Sequence, residues 1–194
     1  MPTKTEAALR RFSWDLARRA ERTREIKEPA VEAALSEHIA GRYESAIAAI
    51  TAIPEAERKA GAWRVLGHAE HGRGEYDAAL AAHLRSFRLH EESDPEAASD
   101  DQVNMAAVFI SMKRYDDAWA ATEKAEQLAP DSPSPWLPRI SLLNLQGRRN
   151  DLEDNLRKLI SEQPDFVSSS RFRDHLEQDA DFIGVSEMIA QIGR

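Results

Sequence analysis

The chain has no cysteine. That removes disulfides, thiolate nucleophiles and every zinc or iron–sulfur site built on sulfur. Glycine is scarce, eight among 194 residues, and aromatic residues make up only 7%. The chain has no GxxxxGKS or GxxxxGKT phosphate loop and no GxGxxG, HExxH or GxSxG motif. Valine and isoleucine are sparse and do not alternate with polar residues, so strands are not signalled. No apolar run approaches the roughly 18 residues that a membrane helix requires. Residues 1–22 lack the continuous apolar segment of a secretory signal. Basic charge is also short: 26 Lys and Arg stand against 34 Asp and Glu, a net charge of −8. A nucleic-acid binder needs Lys and Arg to replace phosphate counterions, and this balance argues against one.

The nine prolines separate long stretches of Ala, Leu, Glu, Arg and Gln, all strong helix formers. Apolar residues at 42% and charged residues at 31% suit a folded protein of one domain or one short repeat array. The expected class is all-α, with helices of roughly 12–16 residues joined by short turns.

One short pattern recurs. It reads Gly41-Arg42-Tyr43, Gly74-Glu75-Tyr76, Lys113-Arg114-Tyr115 and Gly147-Arg148-Arg149. The third residues are spaced by 33, 39 and 34. Three residues beyond each lies Ala46, Ala79, Ala118 or Leu152, and twelve before those lies Ala34, Gly67, Ala106 or Ile140. Small residues let two helices of a hairpin approach closely, and an aromatic beside the turn then fills the wedge between hairpins.

The stretch Trp63-Arg64-Val65-Leu66-Gly67, followed by Gly74, Tyr76 and Ala79, resembles the tetratricopeptide repeat, a helix pair of about 34 residues. Trp136 falls in the phase of Trp63, and Pro130 and Pro164 stand where repeats close. The resemblance covers about residues 27–164. The fourth repeat departs from the pattern, with Arg149 for the aromatic and Leu152 for the small residue. Five extra residues around 90–100 separate repeats two and three, and are expected to form a longer second helix plus a loop. The resemblance implies a right-handed α-solenoid of four hairpins, at about 27–58, 60–97, 99–130 and 133–164. An N-terminal amphipathic helix is expected within residues 1–26. Its apolar stripe is Leu9, Phe12, Leu16 and Ala20, with Trp14 off that stripe. Capping helices are expected over 165–194, near 168–178 and 180–192.

The resemblance also implies that the first helix of each pair lines a concave groove. Mapped onto this sequence, the groove set is Leu35 and His38, then Arg64, His68 and His71, then Asn104, then Ser141 and Asn144. One branch of the family clamps a partner's C-terminal carboxylate in this groove. Arg64 and Asn104 match two positions of that clamp. His68 stands where an Asn is expected, and Ser134 and Pro138 stand where two basic residues are expected, so the clamp is incomplete. A mixed groove of this kind suits a short peptide or helix with apolar anchors and an acid.

The expected function is a non-catalytic protein-interaction module, a cytoplasmic scaffold, adaptor or chaperone-like protein without a cofactor. Self-assembly into a homo-oligomer is the main alternative. A His38/His68/His71 metal site is a lesser one, since the sequence offers it no carboxylate to orient the rings. The acids Glu91, Glu92, Asp94, Asp100 and Asp101 are expected on a solvated loop, without the glycine-centred spacing of a calcium loop.

Overall fold

The computed structural model describes residues 28–178 and 182–192. The expected helix within residues 1–26, with Trp14, lies outside the described residues. Among those described are eleven α-helices and no strand. Four pairs come first: α1 (Pro29–Ile39) with α2 (Tyr43–Thr51), α3 (Ala60–Arg73) with α4 (Tyr76–His90), α5 (Pro95–Ser111) with α6 (Tyr115–Leu128), and α7 (Trp136–Leu145) with α8 (Arg149–Glu162). Then follow the short α9 (Pro164–Val167), α10 (Ser170–Gln178) and α11 (Val185–Ile192). Each helix packs on its pair partner, and consecutive pairs also touch through α1 with α3, α3 with α5, and α5 with α7.

Every pair turns in the same way. One or two residues after the first helix the backbone turns left-handed, with φ of 74° at Gly41, 87° at Gly74, 59° at Lys113 and 66° at Gly147. Two backbone hydrogen bonds close each turn, for example Gly41 N–H to His38 O at 2.9 Å and Arg42 N–H to Glu37 O at 2.9 Å. The same two bonds recur after α3, α5 and α7, and satisfy carbonyls that a helix end leaves open. The next residue has ψ of 67°, 69°, 69° and 67° in the four turns. The recurring three-residue pattern is therefore a helix stop, a bend and a helix start.

The extra length before the third pair goes elsewhere than expected. It extends α5, at 17 residues the longest described helix, while α4 stops at His90. Asp94 caps α5 by accepting from Ala97 N–H at 3.0 Å, and Pro95 presets the backbone of its first turn. Asp100 and Asp101, expected on a loop, lie inside this helix.

Two main apolar clusters form. The N-terminal one joins Val31, Leu35, Ile50, Val65 and their neighbours; the C-terminal one joins Val103, Ile110, Trp136, Ile140, Leu143 and Leu156. Ala46, Ala79 and Ala118 are fully buried, and Leu152 nearly so. Helices are expected near 168–178 and 180–192, and α10 and α11 lie there. Their Phe172 and Val185, with Phe182 between them, close the C-terminal cluster, each contributing about 1.5–3 kcal/mol by burial.

Lys113 is the one non-glycine residue with a left-handed backbone among the described residues. That conformation costs a non-glycine residue roughly 1–2 kcal/mol. Glycine's greater freedom in the unfolded chain offsets part of the gain. Lys113→Gly is therefore expected to raise stability by a net of about 0.5–1 kcal/mol, read as a higher urea midpoint. A lower midpoint would show that the lysine turn is not strained.

Candidate functional site

The eight groove residues lie on α1, α3, α5 and α7, the first helices of the four pairs. Leu35, His38, Arg64, His68, His71, Asn104 and Ser141 are buried, and Asn144 is half-buried. Arg64 differs most from expectation. It is only 4% exposed, and its charge is already paired inside the protein.

The partner is Asp101 on α5, which is fully buried. Arg64 Nε donates to Asp101 Oδ1 at 2.8 Å, and Arg64 Nη2 donates to the carbonyl of Ala97 at 3.0 Å. Two residues of α4 complete the carboxylate's shell. Ser86 Oγ donates to Oδ1 at 2.9 Å, and His90 Nδ1 lies 2.7 Å from Oδ2. An ionised carboxylate has no proton to give, so His90 carries the hydrogen on Nδ1. Burial alone would raise the Asp101 pKa. The charge of Arg64, with the bonds from His90 and Arg64, outweighs burial and holds it below the usual carboxylate range. Three helices thus converge on one anion.

Ser86, His90 and Asp101 are the residue types of an acyl-transfer triad, but their arrangement differs. The serine donates to the carboxylate, not to the imidazole, and all three side chains are buried. The cluster clamps helices.

Beside it runs a stack of rings. His38 on α1 lies 5.7 Å from His68 on α3, and His68 lies 5.1 Å from His83 on α4, between ring centroids. Tyr43 on α2 extends the stack, 5.5 Å from His38. Two glycines inside α3 make room for it. A Cβ on Gly67 would stand 2.6 Å from the His83 ring, and one on Gly72 would stand 2.5 Å from the Tyr43 ring. His71 is not part of the stack. Its Nε2 pairs with Ser111 Oγ at 2.8 Å, and its ring meets Tyr76. The imidazoles brought together are thus His38, His68 and His83, not the expected His38, His68 and His71. No group of three His, Asp or Glu among the described residues is placed to hold a metal ion.

Burial keeps the stack neutral. It lowers the pKa of His38 and of His83 to about 4. It lowers that of His68 well below its ordinary value, with the neighbouring His83, His38, Arg64 and His71 adding to the effect. Both ring nitrogens of His83 and both amide atoms of Asn104 are buried without a hydrogen-bond partner among the described residues. Further along the chain, Arg139 on α7 donates to Thr122 Oγ1 at 3.1 Å and to Glu126 Oε2 at 2.7 Å, and stacks near Trp119 and Trp136.

Ser86, His90 and Asp101 lie outside the groove set expected from the sequence. The signal for Asp101 was present. Ser93-Asp94-Pro95-Glu96 is a helix start, which places Asp101 two turns inside α5. No family model matches the chain, and no curated protein matches it in sequence.

The ring stack makes stability depend on pH. In the unfolded chain the three histidines take up protons near pH 6.5. In the folded chain His38 and His83 do so only near pH 4. Below 6.5 the unfolded state therefore binds more protons, and stability falls as pH drops toward 4. Above about pH 7 these groups add no slope. The urea midpoint is expected to be lower at pH 5 than at pH 7.5, and His38→Leu should shrink the difference. Equal midpoints at the two pH values would show that the rings are not held neutral.

Proposed function

We propose that this chain is a non-catalytic protein-interaction module, a tetratricopeptide-like array of four helix pairs that presents a preformed surface to a peptide or helix of a partner. The observation that carries the reading is recurrence. The same left-handed turn, with the same two hydrogen bonds, falls after α1, α3, α5 and α7, and these first helices touch in series. A stack of this kind builds a solenoid whose first helices share one side. Such a surface loses little conformational entropy on binding, so modest contacts suffice for micromolar-range affinity. In this reading Leu35, His38, Arg64, His68, His71, Asn104 and Ser141 shape the wall behind that surface, and Asn144 reaches it. Arg64, neutralised by Asp101, serves as a strut and not as a ligand for a partner's acid. No helix among the described residues is long and apolar enough to cross a membrane. A cytoplasmic setting belongs to the proposal.

Self-assembly is the second reading. It draws on Ile183, which stands 73% exposed near the C-terminal end. Affinity purification from the native cell, with mass spectrometry and sizing of the purified chain, separates the two. The interaction module is expected to run as a 21.8 kDa monomer and to retain a recurrent, distinct protein. A multiple of that mass with no partner enriched would favour self-assembly and overturn the module.

A further inference from the structure

The fourth pair breaks the repeated pattern at Arg149 and Leu152, and both residues line one cavity. In the first two pairs the tyrosine at the Arg149 position is packed. Tyr43 lies against Gly72 and His38, and Tyr76 lies against His71. Tyr115 packs on the C-terminal apolar cluster. In the fourth pair a cavity of about 180 Å³ opens between α7, α8 and the start of α11. A cavity of about 150 Å³ is enough for a benzene-sized apolar guest.

Its floor is apolar. Leu143, Leu152 and Met188 are 0%, 3% and 7% exposed. Its rim carries Asn144, Arg149 and Ile183. Arg149 is exposed and has no carboxylate within ion-pair distance among the described residues. It is also the only charged residue in the described lining. Arg148, next in sequence, is by contrast held by Asp151 at 2.7 Å. An apolar floor with a few convergent polar groups at its edge is the usual make-up of a binding pocket.

We propose that this cavity binds a leucine- or methionine-sized side chain of a partner peptide, with Arg149 pairing an aspartate or glutamate next to it in that peptide. The inference rests on the interaction-module reading and gives it a site and a ligand chemistry. Arg149 is exposed at the rim, and the apolar floor beneath it is open to a side chain. The acid follows from charge: the described lining residues include one cation, Arg149, and no anion to repel a carboxylate.

The test is an NMR titration of the full chain with three small peptides. Acetyl-Glu-Leu-amide is expected to bind with a dissociation constant on the order of millimolar. It should shift the amides of Gly147, Leu152 and Gly184. Acetyl-Gln-Leu-amide should bind about fivefold more weakly, the scale of an exposed ion pair. Acetyl-Glu-Ala-amide should not bind. Arg149→Gln should abolish the preference for Glu. Arg149→Tyr should fill the cavity and abolish binding of both leucine peptides, with circular dichroism and melting temperature no lower than wild type. Absent shifts, equal affinity for the Glu and Gln peptides, or binding retained by a folded Arg149→Tyr chain would each overturn the assignment. So would a homodimer that Arg149→Tyr dissolves, since a second copy would then be the occupant. Tighter binding of acetyl-Gln-Leu with a free C-terminal carboxylate would overturn the acidic side chain as the anion. A native partner held unchanged by Arg149→Tyr would sink this site and leave the interaction module standing. Peptide binding as expected, with no partner in the cell, would uphold the site and sink the module.

Discussion

Arg64 and Asp101 face each other in a layer where neither charge meets water, and the middle of the molecule is arranged around them. Taking two charges out of solvent is expensive, and their attraction repays it only with good geometry and full hydrogen bonding. Here the carboxylate accepts from Arg64, Ser86 and His90, and the guanidinium also reaches the Ala97 carbonyl. The donors sit on α3 and α4 and the acceptor on α5. The N-terminal apolar cluster is built from residues of α1–α4, and the C-terminal one from residues of α5 and beyond. A purely apolar seam between similar helix pairs tolerates sliding, because leucine packs nearly as well one turn away. A buried pair held by four hydrogen bonds does not. The polar layer sets which pair meets which, and in what register.

The ring stack follows from the same layer. His83 leans on the backbone at Gly67 and Tyr43 on that at Gly72, so α3 has bare positions facing the first pair and its own partner helix. Neutral imidazoles fill space there as flat, weakly polar rings. They do so only while unprotonated, which couples the packing of the first two pairs to pH. The N-terminal half of the molecule is therefore acid-sensitive in a way that the leucine-rich C-terminal half is not.

Much of the helix order was legible because its punctuation is local. Gly41, Gly74 and Gly147 mark stops, and Pro29, Pro95 and Pro164 mark starts. Lys113 was legible only through its place in the pattern, since nothing about lysine favours a left-handed turn. Gly67 reads in the sequence as a small residue for helix approach, and the structure adds that a histidine ring fills the space it leaves. The candidate site was less legible. That Arg64 is buried depends on Asp101, 37 positions away, and no periodicity announces a buried carboxylate. Asp100 and Asp101 resemble loop acids because they follow Glu91, Glu92 and Asp94, but the Asp94–Pro95 helix start puts them inside α5. His38 and His68, both on first helices, are neighbouring rings. His83 was missed because it comes from the second helix of its pair, which a groove built on first helices leaves out.

The central claim is that Asp101 joins the two halves into one cooperative unit. Native-state hydrogen exchange, read by mass spectrometry on wild type and on Asp101→Asn, tests it most directly. In wild type the slowest amides of α3 and of α7 should open with the same free energy. In Asp101→Asn the Arg64 charge loses its counter-ion, and α1–α4 should open at lower free energy than α7 and α8. If both halves of the variant still exchange at one common opening free energy, Asp101 is not what holds them together.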